Sequence, residues 1–213
     1  MAALIPAQQT HVIELYESGL SAQEVADYFG VGIGAIFYVL RRTGTRRRTT
    51  AESNRLQFER KPLSYCIKQN LTDAEERLRF AAVMLYWAEG YKVGKDTVDF
   101  ANSDPAMAVI FIRFLREVCC VDERRIRASL YTYEGQNLDA LHQFWSAALN
   151  LPLTQFNKPY VKRSAPGSRG PRMLHGLVHV RYCDTKLLRQ ILDWIDEYRA
   201  ECVGGRVVNC DWL

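Results

Sequence analysis

The chain has no apolar run long enough to cross a bilayer. Its longest, nine residues from Phe80 to Ala88, covers about 14 Å as a helix against a hydrocarbon layer of ~30 Å. The first ten residues show no basic segment followed by an apolar one, so no secretion signal is predicted. The six cysteines (Cys66, Cys119, Cys120, Cys183, Cys202, Cys210) contain no CxxC pair, and the expected setting is a reducing cytoplasm, in association with the nucleoid. No GxGxxG, P-loop or GxSxG pattern occurs, which leaves nucleotide-dependent and serine-hydrolase chemistry without support. His175, His179 and Cys183 are spaced four apart on a stretch that reads as a strand, where such spacing spreads groups along a face and cannot converge them on zinc.

Acids are scarce between residues 41 and 68. Nine bases (Arg41, Arg42, Arg46, Arg47, Arg48, Arg55, Arg60, Lys61 and Lys68) stand against Glu52 and Glu59, a local charge of +7 in a chain whose net charge is +4. A basic block inside an otherwise balanced chain points to a polyanion.

The block follows three short helical patterns. Val12, Leu15 and Tyr16 share a face that ends at Gly19; Ser21 and Glu24 form a capping box; Gly30 closes a second helix; and Ile36, Val39 and Leu40 line a third over residues 33–42. The series Ala26, Gly30, Val31, Ile36, Val39 places a small residue between touching helices, a glycine at the turn and branched residues in the lock. In this it resembles the resolvase and transposase helix-turn-helix over roughly residues 7–50. The resemblance implies that Gly34, Ala35, Tyr38, Arg41 and Arg42 lie along a major groove. The arm that follows carries Arg46, Arg47 and Arg48 and suits phosphate contact or a narrow minor groove.

Residues 51–70 are polar and read as a linker interrupted at Pro62, which predicts a DNA-binding unit over 1–50, a second domain over 71–201 and a tail over 202–213. Thr72 with Glu75 or Glu76 can cap a helix whose apolar residues 80–88 run all round it, predicting burial on both faces and a second packing partner. That helix ends in Glu89 and Gly90. A carboxylate there opposes the helix macrodipole, so a positive group, either a divalent cation or Lys92 or Lys95, is expected beside it.

Downstream, strands over 97–101, 125–133 and 176–182 alternate with helices over 105–118, 138–150 and from 185 onward. Val178, Val180 and Tyr182 point inward and His179 and Arg181 outward; Ile126, Ala128, Leu130 and Thr132 point inward and Arg125, Arg127, Ser129, Tyr131 and Tyr133 outward. Residues 156–163 form an extended basic and aromatic piece with Lys158, Tyr160, Lys162 and Arg163, before a Gly/Pro/Ser loop carrying Arg169 and Arg172. The fold class is therefore α+β: a twisted antiparallel or mixed sheet backed by helices, with a basic face lined by Arg125, Arg127, Tyr131, His179 and Arg181.

The series Ala82, Val83, Met84, Leu85, Tyr86, Trp87, Ala88, Glu89, Gly90 is similar to the LAGLIDADG helix of homing endonucleases, keeping Leu85, Ala88, the acid and the closing glycine and departing at Met84 and Trp87. The resemblance covers about residues 71–201. It implies paired helices, saddle sheets over double-stranded DNA, and Glu89 holding Mg²⁺ beside the scissile phosphate, with Lys92, Lys158 or Lys162 steadying the developing charge. With one motif per chain, it implies a homodimer through residues 80–90. Sporulation regulators that keep this fold without cleavage supply the alternative, a non-cleaving DNA-binding transcriptional regulator.

Overall fold

The computed structural model describes residues 5–93, 96–163 and 173–203. The chain forms two compact units, Met1–Pro62 and Leu63–Leu213, each with its own hydrophobic cluster. Among the described residues it holds eight α-helices and one four-stranded mixed sheet.

The first unit contains α1 (Pro6–Glu17), α2 (Ala22–Phe29), α3 (Ile33–Arg42) and α4 (Thr50–Arg60). Ser21 caps α2 through the amide of Glu24, whose carboxylate returns to the Ser21 amide. Gly30 ends α2 at φ 63°, a left-handed position that lets the chain turn directly into α3. Val12, Tyr16, Val25, Ala26, Ile36, Val39 and Leu40 close the small core. Helix α4 buries no residue; Thr49 and Glu52 cap it, and Arg60 ties its end to the Gly19 carbonyl and Glu24.

The segment expected to be a linker therefore divides. Residues 50–60 are helical, and residues 64–68 belong to the second unit. There the Cys66 amide donates to the Cys119 carbonyl at 3.0 Å, the Lys68 amide to that of Val118 at 2.9 Å, and Ser64 bonds Tyr182 and Asp184. Backbone pairing at 66–68, rather than side-chain polarity, decides where the chain joins the second core.

The second unit runs α5 (Asp73–Glu89), β1 (Val98–Asn102), α6 (Pro105–Glu117), β2 (Arg127–Tyr133), α7 (Leu138–Leu149), β3 (Tyr160–Lys162), β4 (Leu177–Tyr182) and α8 (Thr185–Val203). Strand order is β1-β4-β2-β3. Strand β4 pairs antiparallel with both β1 and β2, while β3 lies parallel to β2 with Tyr160 opposite Tyr131. The parallel pair requires a crossover, which α7 supplies. Val98, Phe100, Ala128, Leu130, Val178, Val180 and Tyr182 enter one core with the helices. At its centre Phe111 of α6 stacks on Phe100 and Tyr86, with centroids 4.5 and 5.6 Å away.

Helix α5 departs from the expected burial. Only Ala82, Val83 and Tyr86 are buried; Phe80 is 50% exposed and Ala88 is also exposed. Its packing partners α6, α8 and β1 cover part of its circumference. Phe80 and Trp87 meet Tyr198 of α8, while the stripe Ala81, Leu85, Ala88 is only partly covered, with Leu85 packed against the core cluster and Ala88 exposed. Of the remaining sequence expectations, Lys95, the loop bearing Arg169 and Arg172, and the tail beyond Val203 lie outside the described residues.

Candidate nucleic-acid interface

Two surfaces gather the residues singled out by sequence. On the first unit, the inward residues of α3 are Ile36, Val39 and Leu40, so by helical geometry Gly34, Tyr38, Arg41 and Arg42 come out on the opposite side, all exposed, with Ala35 half-buried beside them. Tyr38 is 52% exposed. Gly32 and Gly34 stand at the start of this helix with negative φ, and a Cβ added at either would meet nothing within 4 Å. Among the described residues, nothing requires glycine at either position.

The arginine arm does not stand free. Arg48 lies over the Tyr16 ring, 3.9 Å from its centroid, and donates to the carbonyls of Tyr16 and Leu20, while its amide donates to the Tyr16 hydroxyl at 2.9 Å. Arg47 stacks on Phe37 at 3.8 Å, and Arg46 pairs with Glu52. Planar guanidinium groups find aromatic faces and carbonyls next to them, so the three side chains fold back on their own unit. Of the three, Arg48 is the most committed.

On the second unit, the outward positions of β4 and β2 alternate with the buried ones as the sequence pattern requires. Register places Asp99, Arg181 and Arg127 in one row across the strands, Ala101, His179 and Ser129 in the next, then Leu177, Tyr131 and Tyr160, and finally Tyr133 and Lys162. Lys158 and Arg163 flank β3 and are exposed, as are Tyr160 and Lys162. Arg125 does not reach this face. It lies in a one-turn 3-10 helix, Glu123–Arg125, before the strand begins, and packs against Tyr182 on the core side of the sheet while donating to the Cys183 carbonyl at 2.5 Å.

Sequence reasoning missed the acid that the edge strand β1 brings to this face. Asp99 is only 8% exposed, yet its carboxylate takes His179 Nδ1 at 2.8 Å on one oxygen and Arg181 Nε at 2.8 Å on the other. Burial acts to raise the Asp99 pKa, but His179 and Arg181 outweigh it and hold the carboxyl below its usual value. Alternation of Val98, Asp99 and Phe100 was the signal available, since an acid at the outward position of a strand between apolar neighbours calls for a cationic cross-strand partner. The His179 ring packs against Tyr131 at 4.4 Å between centroids, and Tyr131 against Tyr160 at 5.1 Å.

Glu89 lies exposed at the end of α5, on the edge of the sheet where Gly90 bridges Phe100 and the Tyr91 amide donates to the Asp99 carbonyl. The positive group expected beside it is Lys92. Its Nζ donates to the carbonyls of Trp87 and Gly90 at 2.9 and 3.0 Å. Burial lowers the Lys92 pKa and the Glu89 charge opposes that shift. Lys92 thus caps the helix, meeting by itself the electrostatic need that made a cation plausible there.

Lys158 and Lys162 belong to the β3 segment at the opposite edge, three strand spacings or about 14 Å from β1, so one chain does not gather them around Glu89. Among the described residues, no group of three or more His, Cys, Asp or Glu side chains is placed to hold a metal ion. A single exposed carboxylate with a lysine on the neighbouring carbonyls does not by itself fit Mg²⁺, which would need a second chain or substrate oxygens to complete its shell. No helix among the described residues is long and apolar enough to cross a membrane. Compared with known protein families, with curated proteins and with solved structures, the chain matches none.

Proposed function

We propose that this chain is a double-stranded DNA-binding protein in which the first unit acts as a helix-turn-helix, α3 entering the major groove, and the second unit is a LAGLIDADG-like scaffold. The observation that carries the reading is the outer side of α3. It combines Tyr38, Arg41 and Arg42 with two glycines that no contact or torsion among the described residues demands, a surface that admits a DNA backbone closely while supplying cations. The scaffold role is favoured over hydrolysis because Lys92 already serves the end of α5 and each chain contributes one carboxylate there. On this reading the protein regulates transcription and associates with the nucleoid.

The test is fluorescence anisotropy with duplexes drawn from a selection for bound sequences. Arg41→Ala with Arg42→Ala should weaken binding at least tenfold, and EDTA should leave wild-type affinity unchanged. Unaltered binding by the double variant would overturn the assignment of α3.

A second reading, Mg²⁺-dependent cleavage by a homodimer, is favoured by one observation: the partly open stripe Ala81, Leu85, Ala88 could bring two copies of α5, and so two copies of Glu89, together. Supercoiled plasmid incubated with Mg²⁺ decides it. Nicking by the wild type that is lost in Glu89→Gln supports cleavage, and intact plasmid with both proteins leaves the scaffold.

A further inference from the structure

The outer face of the sheet carries a column of rings that ends in open solvent. It begins at His179 on β4, whose ring is fixed by the bond of Nδ1 to the nearly buried Asp99. Tyr131 on β2 packs on that ring at 4.4 Å with planes 32° apart, and Tyr160 on β3 packs on Tyr131 at 5.1 Å with planes 39° apart. Strand β3 is an edge of the sheet, and Tyr160 is 57% exposed. The last ring of the column therefore presents much of its surface to water. Lys158, Lys162 and Arg163 stand exposed on the same short segment, and strand alternation puts Lys162 on the face of Tyr160.

An exposed aromatic surface with cations beside it selects for a planar, π-rich group attached to an anion. A nucleotide has both. Bases in a duplex are already stacked above and below, and freeing one costs a few kcal/mol, whereas a base in a single strand is free to stack. The column is anchored at its inner end by a charge-assisted pair, so His179 and Tyr131 offer Tyr160 and the base stacked on it a fixed surface to build on, which reduces the ordering cost of binding.

We propose that this edge of the sheet binds single-stranded DNA, one unpaired base stacking on Tyr160 as the next ring of the column while the adjoining phosphates meet Lys158, Lys162 and Arg163. The choice of DNA rests on the reading of α3 given above; the stacking site itself does not. A protein that holds duplex through one unit and an unpaired strand through the other is suited to the junctions and melted segments of DNA that is being transcribed, copied or repaired.

The experiment uses the full-length protein and four labelled probes: an oligothymidine, an abasic strand and an oligouridine RNA of the same length, and a hairpin duplex. The wild type should bind oligothymidine about tenfold more tightly than the abasic strand, equivalent to about 1.4 kcal/mol for one stacked base. Tyr160→Ala should abolish that difference, Tyr160→Phe should keep it, and Lys162→Ala should weaken both strands equally. Tyr160 is exposed, so its replacement leaves the core intact. Duplex affinity should be unchanged by Tyr160→Ala and reduced by the paired Arg41 and Arg42 variants. Equal binding of the oligothymidine and abasic strands by the wild type, or an undiminished preference in Tyr160→Ala, would overturn the proposal. So would a matching loss on duplex, or tighter binding of an RNA strand. Failure of the wild type to bind the duplex, with the preference for oligothymidine over the abasic strand intact, would count against the reading of α3 and leave this site standing.

Discussion

Gly90 is glycine for reasons of space. Its φ of −72° is open to any residue, but a Cβ there would lie 2.5 Å from the Tyr86 carbonyl oxygen and 2.6 Å from two carbons of the Tyr86 ring. That ring is wholly buried and its hydroxyl donates to the Tyr91 carbonyl, so neither atom can give way easily. Gly90→Ala is expected to lower stability by about 2 kcal/mol, as overpacking does, read from the urea midpoint. Gly34 is the opposite case. Open space and negative φ mean that Gly34→Ala should gain about 0.5 kcal/mol in the same assay while weakening duplex binding. A gain in stability with no change in affinity would detach Gly34 from the interface.

At the level of single elements, the entry to α5 is set by charge. Glu75 accepts from Lys68 Nζ at 2.5 Å and from the Thr72 amide at 2.9 Å; with Lys68 as the main cause and the Thr72 bonds adding to it, its pKa falls to about 2. A carboxyl whose folded value is depressed stabilises fully above its ordinary value near 4.5, and that contribution is lost as pH falls toward about 2. Melting temperatures of wild type and Glu75→Gln should therefore differ most above this window and converge below it; a constant gap would assign the effect to shape alone. The flank of α5 gives a second test. If Ala81, Leu85 and Ala88 meet a second copy, Ala88→Lys should shift sedimentation from dimer toward monomer, and an unchanged profile would remove the homodimer. Such elements were legible because their signals are local: capping at Ser21 and Thr72, alternation along β2 and β4, and the left-handed Gly30. The fate of Arg48 was not, because its partner Tyr16 lies 32 residues earlier and nothing in the spacing of three adjacent arginines announces a ring to stack on.

For the molecule as a whole, the pattern of strands and helices foretold an α+β chain with an antiparallel or mixed sheet, but which of the two, and which residues share a face, depended on pairings no local rule supplies. Asp99 meets His179 and Arg181 only because β1 joins β4 across some 80 residues of chain. Arg125 leaves the face because the strand starts two residues later than alternation suggests. Charge placement yields the expectation for the full chain on duplex DNA. The logarithm of the binding constant should fall linearly with that of salt concentration, and the loss of Arg41 and Arg42 should flatten the slope by about 0.9 for each phosphate released. A slope insensitive to these residues would move the contact elsewhere. Strand β3 has one further implication. Three residues, paired on one side only and reached through the whole of α7, give it few bonds to break, so its amides should exchange with deuterium well before those of β4 at the sheet's centre. Tyr160 then rides on the least tightly stitched thread of the sheet, and its place at the end of the row is one that the chain can take up and surrender without unfolding.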